Sequence, residues 1–155
     1  MINAKYVHTN IMAHDWQNLA KFYQDVFDCV PVPPMRDFKG EALERATNIP
    51  NAAFQGMHLR LPGFGDPASE NPGPTLEIFQ YQNMPPRLET LIHRPGFGHI
   101  AFLVEDVAKA RKAVLEAGGE DVGETITLQT ADGRKVTFVY VTDPEGNILE
   151  LQSWS

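Results

Sequence analysis

The sequence predicts an α+β fold made of two successive β-α-β-β-β modules in one chain. Three observations carry this. Short runs with alternating apolar and polar residues recur as strands. Two amphipathic helical stretches, each preceded by an aspartate, stand at corresponding places. The chain also repeats itself: His8 and His99 lie 91 positions apart, as do Asp15 and Asp106, and Leu76-Glu77-Ile78 is echoed by Leu149-Glu150-Leu151.

The elements follow in order. Residues 6–12 are β-branched and alternating, a strand. Asp15 is an N-cap, and Trp16, Leu19, Phe22, Tyr23, Val26 and Phe27 recur at three and four spacing, so 16–27 is a helix. Residues 30–36 are extended, but Pro31, Pro33 and Pro34 confine them to an edge or irregular strand. A short helical patch spans Glu41 to Thr47, and 53–61 is a strand. Seven Pro and Gly residues make 62–74 a loop, long enough to be a lid or a disordered segment. Residues 75–81 close the first module as a strand, giving it bounds of about 5–82.

The second module, about 97–153, starts the order again. A strand over 97–104 leads to Asp106 as N-cap. The helix runs to Ala117 and stops at Gly118-Gly119. Strands at 124–129, 135–142 and 147–153 finish the chain, with Asp132-Gly133 as a hairpin turn. Pro85, Pro86 and Pro95-Gly96 bracket the connection. A module of about 75 residues buries too little to stand alone, so residues 1–155 are expected to form a single domain.

Composition removes several function classes. The 155 residues carry a net charge of −7, the wrong balance for a general nucleic-acid binder. A single cysteine, Cys29, excludes an internal disulfide and a cysteine-rich zinc site; it reads as a small core residue, with no Cys-His signature of a nucleophile. The start has no long apolar stretch, so no signal peptide is expected, and no apolar run approaches the roughly 18 residues of a membrane span. A cytoplasmic protein with neither nucleic-acid nor membrane partners is expected.

Alternation sorts strand side chains onto two faces. Val7, Thr9, Ile11, Leu76, Ile78, Ile100, Phe102, Val104, Leu149 and Leu151 form the faces that pack under the helices. The opposite faces carry His8, Glu77, His99 and Glu150. Two imidazoles and two carboxylates at matching places in two repeats suggest one divalent cation, which would neutralise both acids. Two structural His–Glu pairs are the alternative.

Three further segments complete the pattern: Phe22-Tyr23-Gln24-Asp25-Val26-Phe27, Gly98-His99-Ile100-Ala101-Phe102, and Asp143-Pro144-Glu145-Gly146-Asn147 before Ile148-Leu149-Glu150-Leu151. Here the chain resembles the vicinal oxygen chelate superfamily: glyoxalase I, methylmalonyl-CoA epimerase, extradiol dioxygenases, and bleomycin- or fosfomycin-resistance proteins. The resemblance implies paired βαβββ modules whose mixed sheets curl around a cleft with a metal at its centre. It implies His8, Glu77, His99 and Glu150 as ligands. The His-Glu-His-Glu set is similar to that of bacterial glyoxalase I, which favours nickel or cobalt; zinc, manganese and iron also suit it.

The activity so implied is proton transfer next to a metal-chelated carbonyl, by a lyase or isomerase of glyoxalase I or epimerase type. Glu150 takes the role of catalytic base, with Glu77 the second candidate. The substrate would be a small molecule: a 2-oxo compound, or a glutathione or CoA adduct. Relatives are usually homodimers, so a homodimer is expected. A binding or resistance protein of the same fold is the first alternative, and an iron-dependent dioxygenase the second. Among other residues, His58 is a candidate for lining the cleft, and Phe54, Met57 and Phe79 suit either an apolar wall or ordinary core. Glu41 and Glu44 read as a solvated helical face, with reach into the cleft the alternative, and Arg36, Lys39, Arg45 and Arg60 as scattered surface charge, with contact to an anionic substrate the alternative. His14 reads as local structure beside the helix cap, and His93 as surface.

Overall fold

A computed structural model describes residues 1–65, 73–87 and 89–155. The chain falls into two compact units, Met1–Pro86 and Arg87–Ser155. Each is a βαβββ module with one four-stranded mixed sheet, so the predicted α+β class holds.

The first unit contains β1 (His8–Met12), α1 (Trp16–Phe27), β2 (Val30–Lys39), α2 (Glu41–Thr47), β3 (Ala53–Arg60) and β4 (Thr75–Tyr81). Its sheet order is β1-β4-β3-β2, with β1 parallel to β4 and the other pairs antiparallel. The second unit contains β5 (Ile100–Leu103), α3 (Val107–Glu116), β6 (Ile126–Gln129), β7 (Lys135–Thr142) and β8 (Ile148–Trp154). Its order is β5-β8-β7-β6, with the same parallel and antiparallel pattern.

Both main helices start where the sequence caps them. Asp15 accepts from the Asn18 backbone N–H at 3.0 Å, and Asp106 from that of Lys109 at 3.0 Å. Each cap satisfies a donor that the first helical turn leaves open. The apolar stripe of α1 then buries Trp16, Leu19, Phe22, Tyr23 and Phe27. It packs on β3 and β4, where Leu59, Leu76 and Ile78 are fully buried. In the second unit α3 covers β7 and β8, over Val139, Val141, Leu149 and Leu151. Each such side chain contributes about 1.5–3 kcal/mol over its exposed state. One face of each sheet is thereby committed to the core, and strand alternation sends Glu77 and Glu150 to the other.

Differences from the expected bounds have local causes. Tyr6 and Val7 are exposed and precede β1; Phe97, fully exposed, and His99 precede β5. β6 begins two residues later than expected. β2 runs on to Lys39 because Asp37, Phe38 and Lys39 find partners in Gln55, Phe54 and Ala53. It is an edge strand, with a register shift between Val32 and Arg36 where the prolines sit. The loop expected at 62–74 lies largely outside the described residues. Among the described residues no helix is long and apolar enough to cross a membrane.

Candidate metal centre

Glu77 lies at the middle of β4, between Leu76 and Ile78, and is only 8% exposed. A carboxylate in such a place needs partners. Its Oε2 is 3.2 Å from His8 Nε2 and accepts from Asn10 Nδ2 at 3.2 Å. Its Oε1 is 2.8 Å from His58 Nε2. The other ring nitrogen of His58 lies 3.2 Å from Thr75 Oγ1, which fixes the ring's orientation. Register explains the grouping: β3 and β4 pair His58 directly opposite Glu77.

Ligand atoms of His8, His58 and Glu77 all lie within 4.8 Å of one another. Donors bound at about 2.0–2.2 Å to one cation sit about 3–4 Å apart, so small side-chain rotations bring this set to a metal. Burial, more than any other influence, pulls the His58 pKa below its ordinary value; Arg36 and His8 add to this and Glu77 opposes it. His58 is therefore poised as the neutral imidazole that a metal requires.

The second unit repeats the theme with one change. His99 Nε2 is 2.9 Å from Glu150 Oε2. β7 and β8 pair Tyr140 directly opposite Glu150, the place His58 holds against Glu77. Tyr140 hydrogen-bonds to Glu150, and its ring lies 5.2 Å from that of His99. Burial first, then the charge and hydrogen bond of Glu150, push the phenol pKa up, so Tyr140 stays a proton donor.

Of the four residues singled out by the repeat, His8 meets Glu77 in the first unit and His99 meets Glu150 in the second. His58 is in direct contact with Glu77, and Tyr140 was missed by sequence reasoning. Neither obeys the 91-residue offset, because loops of different length separate the strands. The usable signal was the hairpin pairing itself, which sets the preceding strand's residue against each glutamate.

Other expectations sort cleanly. Phe54 and Phe79 share the Glu77 face, whereas Met57 pairs with Ile78 on the helix side and leaves the apolar wall. Glu41 and Glu44 sit in the first turn of α2, a helix with no buried residue. Cys29 is buried, and its thiol is pushed up to about 12, mainly by burial and then by Asp28, so it is no nucleophile. His14 and His93 are exposed. A cavity of about 410 Å³ includes Trp16, Gln55 and Gln80. Gln55 and Gln80 alternate away from Glu77, whereas Phe54 and Tyr81, which also line the cavity, share its face.

The family profile of the glyoxalase/bleomycin resistance protein/dioxygenase superfamily matches residues 5–151. The chain belongs to this superfamily. Among solved structures it is similar to a glyoxalase family protein of Bacillus cereus, at 16% identity and TM-score 0.74, over 99% of this chain and 95% of that one. It is also similar to a superfamily domain from Frankia, at 15% identity and TM-score 0.59, over 99% and 100% of the two chains. A third is the fosfomycin resistance protein FosX of Listeria monocytogenes, solved with Mn(II) and sulfate, at 14% identity and TM-score 0.53, over 99% and 93%. At these identities the likeness is one of fold. No curated protein matches the sequence. As a superfamily member with a clustered His-His-Glu set, the chain has donors of the type that divalent metals take.

Proposed function

We propose that this superfamily member is a metal-dependent lyase or isomerase, of the glyoxalase I or epimerase type, that moves a proton next to a carbonyl. One recurring contact carries the reading: a histidine Nε2 against a glutamate oxygen, His8 with Glu77 at 3.2 Å and His99 with Glu150 at 2.9 Å. Superfamily membership supports it.

The ligand assignment is His8, Glu77, His99 and Glu150, with nickel or cobalt the favoured ion. The donor chemistry fits a divalent cation, since imidazoles and carboxylates suit nickel, cobalt, zinc, manganese and iron alike. When bound, the ion supplies positive charge that acidifies a C–H beside a carbonyl. Glu150 takes that proton and returns it, as a general base and then a general acid. Glu77 is the second candidate for this step. Tyr140 holds the Glu150 side chain through its hydrogen bond. Asn10 holds Glu77, and His58 bonds it while standing by as a further nitrogen donor. The substrate is a small molecule with a carbonyl: a 2-oxo compound, or a glutathione or CoA adduct. The two modules work as one domain, in a cytoplasmic homodimer.

The test is metal stoichiometry followed by proton exchange. Purified protein reconstituted with nickel or cobalt is expected to hold one ion per chain. The loaded protein should exchange solvent deuterium into a 2-oxo substrate, and Glu150→Gln should abolish exchange while the fold persists. Full exchange in that variant removes the base assignment. One retained ion without exchange moves the reading to a binding or resistance protein, and dioxygen consumption with iron to a dioxygenase.

A further inference from the structure

The Glu77 face of the first unit carries more than donors. Alternation puts Phe54, Phe79 and Tyr81 on that face with His58, and Phe38 joins from β2 opposite Phe54. Their rings form an unbroken series from the donor cluster outward. His58 lies 6.0 Å from Phe79, Phe79 stacks on Phe54 at 4.4 Å, and Phe54 lies 5.2 Å from Tyr81 and 5.6 Å from Phe38. Phe79 and Tyr81 are half-buried and Phe38 is 52% exposed, so the wall keeps open surface.

Gly56 makes room for this wall. A Cβ there would meet the Ile78 carbonyl oxygen first and Phe79 Cδ1 at 2.6 Å, so glycine lets both the β4 backbone and the Phe79 ring lie this close to β3. Arg36 pairs opposite Gly56 on the same face. Its guanidinium bonds the Pro34 carbonyl, and among the described residues no carboxylate pairs with it. The same face therefore offers metal donors, an unpaired cation and an aromatic wall, in that close order. The second unit repeats the wall on the Glu150 face, with Phe138 5.5 Å from Tyr140 and Tyr140 5.2 Å from His99.

We propose that the substrate is a 2-oxo acid with an aryl-sized apolar group, its carboxylate facing Arg36 and its ring against Phe79 and Phe54. This rests on the metal-site reading above. A cation beside the donors selects an acid, and an aromatic wall rewards an aromatic ring through burial and edge-to-face contact. A long polar glutathione or CoA tail finds no matching partners along this row of rings.

The experiment compares phenylpyruvate with pyruvate, by titration calorimetry on the cobalt- or nickel-loaded protein. Phenylpyruvate is expected to bind about tenfold tighter or more, the return for burying one ring. Phe79→Leu and Phe79→Ala should shrink that ratio. Arg36→Gln should weaken both acids by a similar factor. Unfolding curves identify a variant that has lost its fold, and Leu keeps the volume if Ala does not fold. Equal affinity of the loaded wild type for the two acids overturns this inference alone, as does a ratio unmoved by Phe79→Leu and Phe79→Ala. Failure of the wild type to bind metal overturns the site reading and this inference with it.

Discussion

Replacing Glu77 by glutamine separates two roles of one buried side chain. In the metal-free protein, Glu77 accepts from His58 on one oxygen and from Asn10 on the other, where His8 also lies. An amide turns one of those oxygens into a donor. The amide oxygen will keep His58, the more buried imidazole with a side chain 17% exposed, because the 40% exposed His8 can turn to water. Asn10 can present its own oxygen to the new NH₂. One poorly placed polar contact then remains, at a cost of about 1–2 kcal/mol. For a chain of this size that lowers Tm by roughly 2–8 °C.

The metal adds a second, larger readout. An ion present at a hundred times its Kd stabilises the wild type by about 2.7 kcal/mol, or roughly 5–10 °C. A neutral amide is a far weaker ligand than a carboxylate, so Glu77→Gln should lose nearly all of this increment. Thermal unfolding of both proteins, with and without nickel or cobalt, gives the four values needed. Equal Tm values and an equal metal increment would refute the reasoning on both counts. A lost increment with an unchanged Tm would retain the ligand role and remove the bonding role.

Two further outcomes follow from the same packing. The folded protein holds the His58 pKa below its ordinary 6.5, so the unfolded chain takes up this proton first as pH falls. Stability from this group is complete above pH 6.5 and is lost as pH falls through the lower folded value; urea midpoints of metal-free wild type should drop across that window, and His58→Gln should flatten the drop. Gly119→Ala should cost about 1–3 kcal/mol by urea unfolding, because the new methyl collides with the Thr142 carbonyl and Val114 Cγ1, and a backbone oxygen cannot step aside.

The sequence carried the scaffold where the physics is local. Asp15 and Asp106 mark helix starts because an N-cap is a one-residue device whose partner is three positions away. The 91-residue offset found His99 from His8, since equivalent strand ends keep equivalent neighbours. Strand register is not local. His58 reaches Glu77, and Tyr140 reaches Glu150, across hairpins whose loops differ in length. Spacing alone therefore hid both. Met57 takes the core alternative for a related reason: it lies next to His58 in sequence, and one step along a strand is one change of face. β2 overran its expected end because edge pairing with β3 continued past the prolines.

The two units use one scaffold with a single telling exchange. Opposite Glu77 stands an imidazole; opposite Glu150 stands a phenol. A neutral imidazole offers a lone pair, so the first unit adds a nitrogen donor to His8 and Glu77. A phenol whose pKa is pushed up keeps its proton and is a poor ligand, so the second unit gives Glu150 a hydrogen bond and adds no nitrogen donor. Under the proposed function, Glu77 is thus surrounded for holding a cation, and Glu150 for keeping one orientation while it gains and loses a proton. Under the proposed function, that asymmetry is the physical reason to assign the base to Glu150 rather than to Glu77. Tyr140→Phe is then the gentlest way to disturb proton transfer, since it leaves every nitrogen and carboxylate donor in place.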